Sequence, residues 1–230
     1  MGAVPAQVLA CGTWSPPDVL GVRGYSGKRP WRVRQPMTDM TKAELRCAAR
    51  TRRQAFLKSR GSALFALADD GAAQLQQLLP AGACVAGYLA MGSEADPSAL
   101  LQSLHDAGYH LSLPWIGADG ITMAFRTWTP DAPVELAAAR FSQPMAHAAE
   151  RTPDVILMPL LGYDRAGNRL GQGAGHYDRA LARLPDALRI GLGWSIQEFE
   201  ALPADPWDMP LDAIATEAEW ILPATSRIMK

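Results

Sequence analysis

The stretch GYDRAGNRLGQGAGHYDRAL, residues 162–181, decides how this chain folds. It lies between an apolar run at 155–161, VILMPLL, and a segment with helical spacing at 176–184, HYDRALARL. Three glycines stand at alternate positions from 171 to 175. Each would cost about 1 kcal/mol relative to alanine inside a helix, so they must form a loop. The sequence therefore predicts a strand, a glycine loop whose backbone closely approaches something, and a helix.

The rest of the chain alternates short apolar runs with helical segments. A capping box of Thr41 and Glu44 predicts the start of a helix. Further helices are predicted at 62–79, from Pro97 onward, and at 176–184. The predicted strands are 83–90, 109–116, 121–128, 154–161, 189–194 and 212–216. Strands alternating with helices are typical of an α/β fold: a single three-layer, Rossmann-like domain with a mostly parallel sheet flanked by helices.

Residues 1–37 differ from the remainder, which forms one predicted domain at 38–230. They are rich in proline and glycine and lack amphipathic periodicity. Such a composition cannot bury enough apolar surface to offset the ordering entropy. We therefore expect residues 1–37 to be a disordered N-terminal extension.

The bulk composition excludes several classes of protein. A formal net charge of −1 gives no reason to expect a general nucleic-acid or membrane-surface binder. No apolar run reaches the roughly 18 residues that a membrane span requires. The first basic residue is Arg23, so the chain does not begin like a secretory signal. Its cysteines and histidines lack the paired spacing of a zinc site. We expect a cytoplasmic protein.

The glycine loop has the features of an anion site. A glycine-rich turn between a strand and a helix presents backbone N–H groups and the helix dipole to a phosphate. Arg169 lies inside this segment, and Asp178 follows in the first helical turn, where a carboxylate either caps the helix or holds a metal. The alternative at this point is a tight turn with a structural role only.

A basic stripe follows the first helix. Lys42, Arg46 and Arg50 are spaced four residues apart, and Arg53 continues the same side. Such a stripe is usually a solvated helix face, and that reading stays open. Combined with an anion-binding loop, it becomes a candidate second half of a triphosphate site.

Acidic side chains lie after one predicted strand and before the last one. Glu94 lies in a loop after the strand at 83–90, where ligands bind in open α/β sheets, with Leu89 beside it. Asp205 and Asp208 precede the last strand, and loop acids beside a phosphate can hold magnesium. Ordinary capping or turn roles are the alternative for these acids.

In this order, the segments resemble the 5-formyltetrahydrofolate cyclo-ligases, also called methenyltetrahydrofolate synthetases. The most specific stretch, PLLGYDRAGNRLGQGAGHYDRAL at 159–181, is similar to the family run G-x-R-L-G-x-G-x-G-[YH]-Y-D. KAELR, YLAMGSE and WDMPLDAIATE match weaker family blocks. The resemblance covers roughly residues 41–222.

The resemblance implies a reduced folate as substrate and ATP and Mg²⁺ as cofactors. It implies that Arg169 and Tyr177 are catalytic and that Asp178 and Asp208 ligate magnesium. The implied ATP contacts are Lys42, Arg46, Arg169, Leu170, Gly171, Gln172, Gly173, Ala174, Gly175, His176 and Tyr177. The implied folate contacts are Leu89, Glu94, Gln172, Gly173, Ala174, Gly175 and His176.

Two other functions remain open on the sequence. A sugar-phosphate isomerase on a similar scaffold would bind phosphate through the same loop without ATP. A non-catalytic folate- or nucleotide-binding paralogue is the other, because His176 and Trp207 stand where the family often has Tyr and His. For the predicted folate enzyme we expect a monomer or weak homo-oligomer.

Overall fold

A seven-stranded sheet lies at the centre of the described fold. The computed structural model describes residues 40–60, 65–67, 71–137 and 141–228, so the predicted extension at 1–37 lies outside the described residues. The helices are α1 (Lys42–Arg60), α2 (Gly71–Leu78), α3 (Ser98–Asp106) and α4 (His176–Leu181). The strands are β1 (Cys84–Ala86), β2 (His110–Ile116), β3 (Met123–Thr127), β4 (Val134–Leu136), β5 (Ser142–Pro144), β6 (Val155–Pro159), β7 (Gly162–Tyr163), β8 (Arg169–Leu170), β9 (Leu188–Leu192), β10 (Ala213–Ala215) and β11 (Trp220–Ile221).

The sheet is mostly parallel, as the sequence predicts. Its strand order is β11-β10-β9-β6-β1-β2-β3. The five inner strands run parallel, and the edge strands β3 and β11 pair antiparallel to their neighbours. The remaining strands form two separate antiparallel hairpins, β4-β5 and β7-β8.

Helices cover both faces of this sheet, which gives the predicted three layers. On β1, Val85 belongs to the core with α2 and α3, whereas Ala86 belongs to the core with α4. Leu157 and Ile156 of β6 divide in the same way. The chain leaves β1 and β6 toward opposite edges of the sheet, and right-handed crossovers therefore place α3 and α4 on opposite faces.

Because the chain leaves β1 and β6 toward opposite edges of the sheet, a topological switch point lies between these two strands. Open α/β sheets bind ligands at such points, outside the carboxyl ends of the strands. The loops that leave these two strand ends contain residues 87–97 and 160–175. Helix α1 packs at this end, because its Leu45 and Ala49 share a buried cluster with Leu161 and Leu170. The fold thus brings α1 and both loops to one edge of the sheet.

The predicted capping box starts α1. The Thr41 N–H donates to Glu44 Oε2 at 2.8 Å, and the Glu44 N–H donates to Thr41 Oγ1 at 3.3 Å. Within the described part of the chain, none of the helices combines the length and hydrophobicity needed to span a lipid bilayer.

Several predicted boundaries are wrong. Among the described residues of the helix predicted at 62–79, Gly71–Leu78 are helical and residues 65–67 are not. The strand predicted at 83–90 ends at Ala86. At Gly87 a Cβ would lie 2.6 Å from the Leu101 side chain, so the glycine allows α3 to pack against the strand end. Strand β11 and the two hairpins were not predicted, since strands of two or three residues carry no readable alternation.

Candidate active site

The glycine loop begins with a hairpin and ends at a helix. Gly162 pairs with Leu170 and Tyr163 pairs with Arg169, so the chain enters residues 171–175 from β8 and leaves them at α4. This confirms that these residues form a loop. Gly173 has φ +106° and Gly175 has φ +66°, which are backbone conformations that residues with a side chain rarely adopt. Glycine is therefore required at these two positions by the path of the chain.

The basic stripe of α1 lies against this loop. Arg46 Nε donates to the Gly171 carbonyl oxygen at 2.9 Å, and Arg50 Nη2 donates to Gln172 Oε1 at 2.8 Å. A Cβ at Gly173 would lie 3.3 Å from Arg46 Cζ. The close backbone approach predicted from the glycines is therefore, in part, an approach to Arg46.

Glu94 faces the same loop from the other side. Its side chain is buried, Oε2 accepts the Met91 N–H at 3.0 Å, and Oε1 accepts Gln172 Nε2 at 3.3 Å. Gln172 therefore bridges Glu94 and Arg50. Leu89, on the same loop as Glu94, is partly buried against the core shared with α2 and α3. The structure brings Glu94 to the glycine loop and directs Leu89 into core packing.

Arg169 and Tyr177 stand at the two ends of the glycine loop. The Arg169 side chain is 8% exposed, ion-pairs with Asp178 and donates to the Met209 carbonyl oxygen. Burial raises the pKa of Tyr177, and the Glu94 carboxylate raises it further, against a smaller opposite effect of Arg169. The Tyr177 hydroxyl therefore stays protonated near neutral pH.

Lys42 contacts acids rather than the loop. Its Nζ lies 2.6 Å from Asp205 Oδ2 and 2.7 Å from Asp208 Oδ2. Burial lowers the pKa of Lys42, but the hydrogen bonds to the two acids outweigh it and leave the pKa raised. Burial likewise raises the pKa of Asp208, while the Asp205 N–H and Lys42 lower it more, with a smaller contribution from Arg169.

The two acids expected to bind magnesium are thus both paired with cations. Among the described residues, no group of three or more His, Cys, Asp or Glu side chains forms a metal cluster. Mg²⁺ commonly binds through one or two carboxylates together with phosphate oxygens and water. Asp178 and Asp208, both near Arg169, fit that kind of site and do not fit a cage built from protein ligands alone.

The far end of the loop touches the turn between β2 and β3. His176 Nε2 lies 3.0 Å from the Gly120 carbonyl oxygen, and Arg179 Nη2 donates to the Ile121 carbonyl oxygen at 3.4 Å. Ala174 is exposed between these contacts and those of Arg46. The sequence predicts a tight turn between these two strands but not its contact with the glycine loop, because a contact across about 55 residues leaves no local pattern.

Arg53 and Ser93 also belong to the site, and the sequence analysis singles out only Arg53, as part of the basic stripe. Arg53 continues the basic stripe but is buried, and its Nε donates to Ser93 Oγ at 2.8 Å. Its spacing of seven residues from Arg46 indicated a shared side of the helix. Nothing in the sequence indicated that loops would cover it.

Comparisons with known proteins show the family of the chain. The sequence model of the 5-formyltetrahydrofolate cyclo-ligase family matches residues 38–217. The chain belongs to this family. The 5-formyltetrahydrofolate cyclo-ligase of Mycolicibacterium smegmatis is 33% identical over 199 residues, which cover 81% of this chain and 98% of the relative. The Escherichia coli K12 5-formyltetrahydrofolate cyclo-ligase is 30% identical over 146 residues, covering 59% of this chain and 80% of the relative.

A solved structure of the family shares the fold. The NMR structure of Aquifex aeolicus 5,10-methenyltetrahydrofolate synthetase superposes with a TM-score of 0.63 at 27% sequence identity. The match covers 82% of this chain and 95% of that one. The resemblance to 5-formyltetrahydrofolate cyclo-ligases read from the glycine segment is therefore confirmed.

Proposed function

We propose that this chain converts 5-formyltetrahydrofolate to 5,10-methenyltetrahydrofolate in an ATP- and magnesium-dependent reaction that releases ADP and phosphate. Residues 38–230 would form the cyclo-ligase domain. Family membership supports the proposal, and one observation carries it: Gln172 of the glycine loop is held between Arg50 and the buried Glu94. One loop thus borders a basic helix on one side and an acid at the sheet's switch point on the other.

The chemistry requires two ligands side by side. The formyl group is an amide, so its carbon is a poor electrophile and its oxygen a poor leaving group. Attack of the formyl oxygen on the γ-phosphorus of ATP forms a C–O–P linkage and releases ADP. The neighbouring folate nitrogen then attacks the activated carbon and loses its proton, and phosphate leaves with the former formyl oxygen. Such a reaction asks the protein mainly for positioning and charge compensation.

Phosphate binding is proposed for Lys42, Arg46 and the loop from Arg169 to Tyr177. The N–H groups of residues 171–175 and the positive charge of Arg46 would face the phosphates. Lys42 is paired with Asp205 and Asp208. We expect the triphosphate to compete with these carboxylates for Lys42.

Magnesium is proposed at Asp178 and Asp208, where it would neutralise charge on the phosphate oxygens. Arg169 pairs with Asp178 and is nearly buried, so it can orient this carboxylate and stabilise negative charge that develops during phosphoryl transfer. Tyr177 is the second proposed catalytic residue, and its raised pKa suits it to donate a hydrogen bond rather than to accept a proton.

Folate binding is proposed for Glu94 and Leu89 on the loop after β1, and for the loop residues Gln172, Gly173, Ala174, Gly175 and His176. Glu94 is buried with one oxygen held by a weak 3.3 Å contact, so it has acceptor capacity to offer N–H groups of a ligand. We further propose that the protein acts in the cytoplasm as a monomer or weak homo-oligomer, with a small-molecule substrate and no nucleic-acid or membrane partner.

The proposal is tested by near-ultraviolet absorbance of the protein mixed with 5-formyltetrahydrofolate and magnesium, with and without ATP. An ATP-dependent rise of the methenyl product band supports the reaction. Binding of both ligands without product indicates a non-catalytic paralogue. Failure to bind either ligand indicates that the loop holds a different phosphate compound, such as a sugar phosphate.

A further inference from the structure

Arg53 is a buried charge on α1, whose other buried residues are the apolar Leu45 and Ala49. Its residue is 5% exposed, although its spacing places it on the basic stripe with Arg46 and Arg50. Burying a guanidinium is unfavourable unless its N–H groups find acceptors and its charge finds a counter-charge. The contacts of Arg53 therefore indicate what the burial achieves.

These contacts join the two strand ends at the switch point. Arg53 Nε donates to Ser93 Oγ at 2.8 Å, and Nη1 donates to the Leu160 carbonyl oxygen at 3.2 Å. Ser93 belongs to the loop that follows β1, and Leu160 directly follows β6. A single side chain of α1 thus fixes both loops that border the proposed ligand crevice.

The neighbour of Ser93 supplies the counter-charge. Burial lowers the pKa of Arg53, and the Glu94 carboxylate opposes this most strongly. Glu94 in turn accepts from Gln172, and Gln172 accepts from Arg50, one turn of α1 before Arg53. The contacts form a ring that runs from α1 through the β1 loop and the glycine loop back to α1.

We infer that Arg53 is a positioning residue for the folate: it fixes the Ser93 loop so that Glu94 is presented to the ligand at the glycine loop. The inference rests on the proposed folate contact of Glu94. Other anchors keep the two loops folded without Arg53, because Trp194 Nε1 donates to the Ser93 carbonyl oxygen at 3.2 Å and Gln197 Nε2 donates to the Leu160 carbonyl oxygen at 2.5 Å. Loss of Arg53 should therefore let the Glu94 carboxylate move from its position at the glycine loop, while the protein stays folded.

Arg52 provides a matched control on the same helix. Its Nη2 donates to the carbonyl oxygens of Ile196 at 2.6 Å and Glu198 at 3.1 Å, and its guanidinium lies 4.8 Å from the Phe199 ring centroid. These contacts anchor α1 to the segment after β9 and do not involve the loop that carries Glu94. Arg52→Met also removes an arginine that makes two hydrogen bonds, but this one is half-buried and lies at the segment after β9 rather than at the loop that carries Glu94.

The test compares Arg53→Met, Arg53→Lys and Arg52→Met with the wild type. Dissociation constants for 5-formyltetrahydrofolate without ATP, and for ATP alone, are measured together with the midpoint of thermal unfolding. Loss of a charge-assisted hydrogen bond predicts that Arg53→Met weakens folate binding about tenfold and leaves ATP binding unchanged. Arg53→Lys keeps the charge and an ammonium group that can donate hydrogen bonds, so it should retain part of the affinity. Arg52→Met should lower the unfolding midpoint without changing folate affinity.

Equal folate affinity in Arg53→Met and the wild type would overturn the inference. So would a parallel loss of folate and ATP binding that Arg52→Met reproduces, because Arg53 would then have only a general structural role. A wild type that binds folate but forms no product would overturn the proposed reaction, while the comparison of folate affinities still decides the role of Arg53. A wild type that binds no folate would overturn both.

Discussion

Arg46 of α1 donates a hydrogen bond from Nε to the Gly171 carbonyl oxygen, 2.9 Å away and 125 residues later in the chain. The contact turns the carbonyl oxygen of the first loop glycine toward the helix. It also places a guanidinium beside a loop whose backbone N–H groups suit phosphate. The pairing of helix and loop is the basis of the proposed ATP site.

Replacing Arg46 should weaken ATP binding. Arg46→Ala removes both a positive charge and the bond that holds Gly171, so the KM for ATP is expected to rise about tenfold or more. Lys58→Ala is the control, because Lys58 is exposed near the end of the same helix. Steady-state kinetics at saturating folate measure the effect, and an unchanged KM for ATP in Arg46→Ala would remove Arg46 from the site.

A methyl group should be tolerated at one loop glycine and not at another. Gly173→Ala must adopt φ +106° with its Cβ 3.3 Å from Arg46, and such backbone strain costs on the order of 1–3 kcal/mol. Gly171→Ala meets no atom within 4 Å and has no positive φ. Urea denaturation should show a clear loss of unfolding free energy for Gly173→Ala only. Equal losses in both variants would contradict the described loop geometry.

Asp178 should govern the magnesium dependence of turnover. Asp178→Ala removes a proposed ligand and the ion-pair partner of Arg169, which keeps its bond to the Met209 carbonyl oxygen. We expect turnover to be lost and, because the nearly buried Arg169 loses its counter-charge, the thermal unfolding midpoint to fall while the protein stays folded. Asp186→Ala, an exposed acid beyond α4, serves as the control. Full activity of Asp178→Ala over a magnesium titration would show that the metal binds elsewhere.

The Lys42–Asp208 pair should make stability depend on pH at the acidic end. The folded-state pKa of Asp208 lies below its ordinary 3.8, so its contribution is fully present above that value and is lost as the pH falls through the lower folded-state pKa. The stability difference between the wild type and Asp208→Asn should therefore shrink below about pH 4. Denaturation curves at several pH values measure it, and a difference that grows with acidification would contradict the sign.

The segment before the domain should not contribute to catalysis. Every residue of the proposed site lies at Lys42 or later. We therefore expect a variant without residues 1–36 to retain the kcat and both KM values of the full chain. A large loss of activity would mean that the segment takes part in the site.

Some features could be predicted because the sequence encodes them locally. The capping box of Thr41 and Glu44 needs four consecutive residues, and the glycine loop follows from the cost of glycine in a helix. The parallel sheet follows from strands that alternate with helices. For these features the local preference and the final structure agree.

Other features depend on contacts that no local pattern records. Arg53 has the spacing of an exposed stripe, yet the loops of Ser93 and Leu160 cover it. Lys42 belongs to the same stripe, but its Nζ donates to Asp205 and Asp208, which lie in a loop more than 160 residues later in the chain. Residues 65–67 are not helical, and Phe65 packs beside Trp194, about 130 residues away, at a ring-centroid distance of 5.0 Å. Tertiary packing decides each of these cases.

The fate of the formyl oxygen tests the central claim most directly. 5-Formyltetrahydrofolate labelled with ¹⁸O in the formyl group would be turned over with unlabelled ATP and magnesium, and the released phosphate analysed by mass spectrometry. Phosphoryl activation of the formyl oxygen predicts one ¹⁸O atom in each phosphate formed. Unlabelled phosphate alongside methenyl product would contradict the account, because the formyl oxygen would then have left by another route.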